Sequence, residues 1–185
     1  MAATPPICDF GWKPPAFSLP STSTPTDGKM ISFDDVKGEN GTMVAFICNH
    51  CPYVLSIVDR LVATANDLNE KGIGFVAICA NDATGYPEDS FENMIPFAKE
   101  NNFTFPYLHD ESQEVAKAWD AICTPDFFGF NADGELQYRG RLDASRKEPA
   151  EGAKRDLYEA MVQVAQSGNG PQEQISSMGC SIKWK

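Results

Sequence analysis

Apolar positions along this chain fall into two patterns. Short continuous runs rich in β-branched and aromatic residues, at 43–48, 73–80, 103–108 and 124–130, predict buried strands. Between them the apolar residues take a helical period, as in Val54, Ile57, Val58, Leu61 and Val62. That pattern predicts a helix over 52–70 with Lys71-Gly72 as its stop, and further helices over 88–100, 112–119 and 151–166, the last closed by Ser167-Gly168. Met30–Phe33 reads as a short strand, followed by a helical turn at 34–37 and a break at 38–41. Asn131-Ala-Asp-Gly134 is a turn signal that joins the 124–130 strand to a partner at 135–141. Strands alternating with helices, then a terminal β-hairpin, give an α/β fold: a central mixed β-sheet with helices on both faces.

Organisation follows from the same pattern. Residues 1–29 are proline-rich and predict an irregular lead-in docked on the domain, residues 30–168 form the domain, and the polar tail 169–185 is expected to wrap its surface. With 185 residues, 42% of them hydrophobic, the chain suits one well-buried core. A net charge of −11 argues against nucleic acid and against anionic membranes. No apolar stretch reaches the roughly 20 residues that span a bilayer. The N-terminus has neither a basic nor an apolar region of the secretory kind, so the expected compartment is the cytoplasm. In that reducing setting six cysteines point to redox or metal chemistry rather than to structural disulfides.

The run Val44-Ala-Phe-Ile-Cys-Asn-His-Cys-Pro-Tyr-Val54 carries the strongest chemical signal. A strand delivers two cysteines in C-x-x-C spacing to a helix that opens with Pro52, the favoured first helical residue. Cys51 then sits at the N-cap, where unpaired N–H groups and the helix dipole lower a thiol pKa. Cys48 is a candidate resolving thiol, since a mixed disulfide must be released by a second thiol. An extended three-residue step covers about 10 Å, whereas bridged Cα atoms lie within about 7 Å. The pair closes only if the chain turns through Asn49-His50; otherwise Cys48 simply packs at the strand's end. His50 is placed to favour the thiolate or donate a proton, or else it is a solvated loop residue.

Other residues are weighed around that centre. Pro125 follows Thr124 at the start of a strand, an unusual position for a residue with no N–H to pair. Cys123 precedes it by two residues and is the second candidate for a partner thiol; Cys180, in the tail, is the third. Cys79 reads as structural and Cys8 as idle. Arg139 and Arg141 fit surface ion pairs better than a thiolate-stabilising role, and the acidic residues of 82–114 read as solvated helix faces. Phe127, Phe128 and Phe130 belong either to the core or to a substrate surface, and His109-Asp110 ends a strand. Cys48, His50 and Cys51 together offer a soft-metal site, but a closed zinc site takes four ligands and no second C-x-x-C or H-x-x-H is present. No cofactor is therefore expected.

Several separated motifs carry a resemblance. Pro15-Ala-Phe-Ser-Leu-Pro20, Asp27-Gly-Lys29 and Phe33-Asp-Asp-Val-Lys-Gly38 open the chain, Cys123-Thr-Pro125 leads an aromatic strand into the 131–134 turn, and Gly179-Cys-Ser-Ile-Lys-Trp-Lys185 closes it. Together with the order of elements they resemble the thioredoxin-like superfamily, and more closely its peroxiredoxin-like and TlpA-like redoxin branch (AhpC/TSA type). The resemblance implies a thioredoxin-like fold with a cis bond at Thr124-Pro125 facing Cys51, and with Thr124 pairing to an extended substrate. It implies a cytoplasmic thiol–disulfide oxidoreductase with Cys51 as nucleophile, in which Cys48, Cys123 or glutathione resolves the mixed disulfide. Its substrates are then protein or glutathione disulfides, and a thioredoxin-type protein is a candidate reductant.

The motif also departs from its relatives. Aligned on thioredoxin, Cys51-Pro-Tyr-Val54 resembles a glutaredoxin C-P-Y-C whose second cysteine is Val54. Aligned on peroxiredoxins through Cys51, Cys48 stands where their threonine belongs and Val44 where their proline belongs. The alternatives are therefore a peroxidase in which Cys51 becomes a sulfenic acid, and a non-enzymatic copper-, zinc- or thiol-binding protein.

Overall fold

The apolar run ahead of the cysteine pair forms the middle strand of a five-stranded sheet. The computed structural model describes residues 1–145 and 148–185. In chain order its elements are β1 (Ala2–Ala3), β2 (Ser18–Pro20), β3 (Met30–Ser32), α1 (Phe33–Val36), β4 (Gly41–Phe46), α2 (Pro52–Leu55), α3 (Val58–Asn69) and β5 (Ile73–Cys79). A 3₁₀ turn at Pro87–Asp89 follows, then α4 (Phe91–Glu100), β6 (Tyr107–His109), α5 (Glu114–Ala118), β7 (Cys123–Thr124), β8 (Asp126–Phe130), β9 (Leu136–Tyr138), α6 (Asp156–Ser167) and β10 (Gly179–Ser181). The main sheet has the order β6-β5-β4-β8-β9. β4 and β6 run parallel to β5, while β8 is antiparallel to β4 and to β9. The mixed sheet and terminal hairpin are those the sequence predicts.

Period-two alternation along β4 divides its side chains between two cores. Met43 and Ala45, with Ile47 just beyond the strand, join Leu61 and Leu68 of α3, Met94 of α4 and Met161 of α6. Val44 and Phe46 turn the other way, toward Phe128, Phe130 and Trp119. On that second face the lead-in supplies much of the cover. Phe17 and Leu19 are buried there, β2 pairs with β3, and the Trp119 ring lies 5.7 Å from Phe17 and 5.8 Å from Trp12. Each buried Phe or Leu side chain stabilises by about 1.5–3 kcal/mol, so the lead-in contributes to this second core.

Several predicted elements are divided or shortened, two of them for a clear local reason. The helix predicted over 52–70 breaks between α2 and α3. The Ile57 N–H bonds the Val54 carbonyl, and the Ser56 hydroxyl takes the Tyr53 carbonyl at 3.0 Å. The strand predicted over 103–108 pairs only from Tyr107 onward. Pro106 has no N–H for a ladder, and the Phe105 carbonyl accepts instead from Ser23 Oγ at 2.9 Å. The final helix starts at Asp156 rather than near 151, and the strand expected over 135–141 keeps only three residues.

The largest difference is at Pro125. The single strand predicted over 124–130 is two strands in two sheets: β8 belongs to the main sheet, whereas β7 joins β1 and β10 in a separate three-stranded sheet, β1-β10-β7. The tail thus does more than wrap the surface, because β10 is the middle strand of that sheet and Ile182 after it is buried. The loop leading into β7 is held by a buried ion pair. Asp126 accepts from Arg139 Nη2 at 3.0 Å and from the Ile122 N–H at 3.1 Å, and Arg139 also bonds the Asp120 carbonyl at 2.7 Å. Burial pushes the Asp126 carboxyl above the ordinary aspartate range despite Arg139, the usual balance when a pair leaves water. Removing one partner strands the other charge. Asp126→Ala is expected to cost about 3–5 kcal/mol, read as a lower urea midpoint at constant slope; a loss within experimental error would show that the pair does not hold this loop.

Candidate active site

The segment after β4 turns at Asn49 and His50 instead of extending, and a buried carboxylate holds the turn. Asp89 Oδ1 accepts from the Asn49 N–H at 2.7 Å. Asp89 Oδ2 bonds His50 Nδ1 and Asn81 Nδ2, each at 2.7 Å. The Asn49 side chain donates to the Glu88 carbonyl and accepts from the Tyr107 hydroxyl. Burying a carboxylate is costly unless it is hydrogen-bonded, and here three donors converge on it. The turn through Asn49-His50 that a Cys48–Cys51 pairing needs is therefore built in.

Cys51 is the N-cap of α2, with extended backbone (φ −67°, ψ 122°) ahead of Pro52. Its side chain is fully buried, as is that of Cys48. Both meet Thr124: Cys51 Sγ donates to the Thr124 carbonyl at 3.2 Å, and Cys48 Sγ lies 3.4 Å from Thr124 Oγ1. The Thr124-Pro125 bond is cis, as the resemblance implies. Antiparallel pairing then sets Cys180 of β10 directly opposite Thr124. Three cysteines from two distant parts of the sequence thus surround one threonine.

The acidity of Cys51 follows from its neighbours. The Cys48 thiol, donating to Cys51 sulfur, is the largest influence and draws the Cys51 pKa well below the thiol range; the Cys180 thiol and the Val54 and Cys180 amides add to it. Burial and the Thr124 carbonyl oppose them, since both favour the neutral thiol. Four donors outweigh one acceptor. Cys51 makes no side-chain cap hydrogen bond, and α2 is only four residues long. Local donors, rather than the dipole of a long helix, set this pKa. Cys48 carries the converse effect: donation to Cys51, burial and the nearby Asp89 all push its pKa up.

The other candidates are distributed around this centre. His50 is engaged by Asp89 and stacks on Tyr86 at 5.1 Å. Cys123 Sγ donates to the Pro125 carbonyl at 3.4 Å, and burial raises its pKa to about 12. Cys79 is fully buried with its pKa raised by burial to about 12. Arg139 is not at the surface but buried against Asp126, and Arg141 pairs with Asp156 at 2.9 Å. Phe127, Phe128 and Phe130 are all core. The donors nearest to a metal site are Cys48, His50 and Asp89, whose ligand atoms lie within 4.8 Å of one another. Cys51 is outside that set, which stays one ligand short of a closed zinc site.

Asp89 and Asn81 were hidden in a stretch that reads as solvated acidic surface. A signal existed in Tyr-Pro-Glu-Asp-Ser, a turn with its acid just ahead of a helix cap. Beside the thiols runs a cleft of about 710 Å³ lined by Tyr53, Ile57, Pro125, Phe127, Ile175 and Met178. It follows α2 and the cis proline, while Cys51, fully buried, does not line it.

A thiol with a lowered pKa is ionised at pH values where ordinary thiols, titrating near ~8.5, are protonated. The ultraviolet thiolate signal lost in Cys51→Ala is therefore expected to persist in the parent below pH ~7. Cys48→Ala, which removes the leading donor, is expected to move that titration upward. A Cys51 midpoint in the ordinary thiol range, or one unmoved by Cys48→Ala, would contradict this electrostatic account.

Among known proteins, a crystal structure of an uncharacterised conserved protein from Geobacillus kaustophilus is 45% identical, with a TM-score of 0.91 over 100% of this chain and 97% of that one. The thioredoxin domain of a thiol-disulfide oxidoreductase from Bacteroides vulgatus shares the fold, with a TM-score of 0.64 at 16% identity over 84% of this chain and 97% of that one. A Mycobacterium tuberculosis protein named "Putative peroxiredoxin" is 26% identical over 74% of this chain and 80% of its own length. Among the described residues no helix is long and apolar enough to cross a membrane. The family model described as Redoxin matches residues 11–157. With a cysteine at a strand-to-helix junction opposite a cis proline, the chain belongs to the redoxin family, oxidoreductases of thioredoxin-like fold.

Proposed function

We propose that this redoxin is a thiol–disulfide oxidoreductase whose nucleophile is Cys51. The observation that carries the reading is the meeting of three thiols at Thr124: Cys51 Sγ on its carbonyl, Cys48 Sγ beside its hydroxyl, and Cys180 opposite it in the strand pairing. In the reaction, Cys51 thiolate attacks one sulfur of a substrate disulfide and expels the other as a thiolate, leaving a mixed disulfide. A second thiolate then attacks the Cys51 sulfur and releases the substrate thiol. Two electrons pass from the enzyme's two thiols to the substrate, and an external thiol reductant restores them. The enzyme's substrates are disulfides of proteins and of glutathione, with Thr124 and Pro125 as the backbone seat at the edge of the cleft that Pro125 lines. A reducing cytoplasm is the setting proposed for this thiol chemistry.

A peroxidase is the second reading, favoured by the name of the M. tuberculosis relative and by the Cys51 thiolate. Against it, Arg139 and Arg141 are committed to Asp126 and Asp156, and Cys48 occupies the place of the peroxiredoxin threonine. Disulfide exchange asks nothing of those groups.

Reduced protein should react faster with oxidised glutathione than with hydrogen peroxide, and Cys51→Ser should fall to the uncatalysed rate with either. Peroxide consumed the faster of the two, and lost in Cys51→Ser, would establish the peroxidase. A Cys51→Ser protein that reduced disulfides at the parent rate would rule out both.

A further inference from the structure

In strand addition an extended peptide pairs with an exposed backbone edge, and the edge of β7 at Thr124 is where a substrate strand belongs. The chain's own tail already holds it. Cys180 is the residue opposite Thr124, whose carbonyl accepts from Cys51 Sγ at 3.2 Å, and it packs against the core cluster that holds Cys51. Gly179 lies so close that a Cβ there would be 2.0 Å from the Thr124 carbonyl oxygen, so the strand is fitted to this edge by its sequence. The tail is fastened on both sides of β10. Ser177 Oγ donates to the Pro125 carbonyl at 3.0 Å, the Lys183 N–H donates to Asn81 Oδ1 at 2.9 Å, and the Lys183 carbonyl accepts from Gln113 at 2.8 Å. Asn81 also holds Asp89, which ties the tail to the turn that carries Cys48.

We propose that Cys180 is the resolving thiol of Cys51, delivered by β10, which yields Thr124 to the substrate strand and then reclaims it. The proposal rests on the exchange reaction above. Once Cys51 is in a mixed disulfide with a substrate thiol, Cys180 loses its proton to solvent, and its thiolate attacks the Cys51 sulfur. The substrate sulfur leaves as a thiolate, and a Cys51–Cys180 disulfide remains. The returning strand displaces the substrate strand, so release and resolution are one event. The fastenings at Ser177 and Lys183 keep the thiol within reach while β10 is off the edge.

Two observations favour Cys180 over Cys48. Cys48 is fully buried beside Asp89, and burial and that carboxylate hold its proton even when Cys51 is not a thiolate. Cys180 is partly exposed, with Lys183 favouring its thiolate, and the proximity of Cys51 is among the causes that raise its pKa to about 11. That contribution disappears when Cys51 enters a mixed disulfide.

The test uses the full chain, reduced and then exposed to oxidised glutathione, with disulfides mapped by mass spectrometry and released glutathione counted. The parent and Cys48→Ser are expected to accumulate a Cys51–Cys180 disulfide, with a second glutathione released after the first. Cys180→Ser is expected to stop at the Cys51–glutathione adduct, losing the second release. A Cys51–Cys48 disulfide in the parent, or full release in Cys180→Ser, would overturn the assignment while leaving Cys51 as nucleophile. Absence of any Cys51 adduct would instead overturn the exchange reaction. The map of the parent decides the matter even if a variant folds poorly.

Discussion

The architecture of this site depends on the interruption at Pro125. A residue without an N–H cannot sit within a ladder, so the chain leaves one sheet at Thr124 and enters another at Asp126. Thr124 is left at the junction with its carbonyl on Cys51, its hydroxyl beside Cys48 and its edge on Cys180. The buried Asp126–Arg139 pair fixes the same junction from below, by bonding the loop at Asp120 and Ile122. Without that interruption the tail would have no edge to pair with at the thiols.

Redoxins are often pictured as placing a cysteine at the end of a long helix dipole, and this site modifies the picture. The helix that Cys51 caps ends after four residues, and the field near a helix end falls off within a turn. Hydrogen-bond donors on sulfur take over, and the strongest is another thiol. Donation from Cys48 divides the protons unequally, lowering one pKa and raising the other. The interior thiol thus serves first to set the charge on Cys51. The thiol on the tail side, partly exposed, is the more easily ionised once that charge is gone.

Much of the fold was legible because binary pattern and punctuation agree. The runs at 43–48 and 73–80 are apolar enough to specify buried strands, and Pro52 marks the helix start. Cys51, Thr124 and Pro125 were legible for the same reason: each sits at an element boundary that its own chemistry helps define. Long-range partners were not. Asp89 reads as one acid among many, and only the fold brings it under Asn49 and His50. Cys180 lies in a polar tail whose strand has three residues, too few for an alternation to show. The break at Ser56 depends on side-chain bonds that leave no periodic trace.

The most direct test of the account is a crystal structure of the Cys48→Ser, Cys180→Ser protein carrying a cysteine peptide in disulfide linkage to Cys51. The account predicts the peptide extended and antiparallel on Thr124, with β10 released from that edge and the tail still fastened at Lys183. A peptide bound elsewhere, with β10 still paired to Thr124, would contradict it.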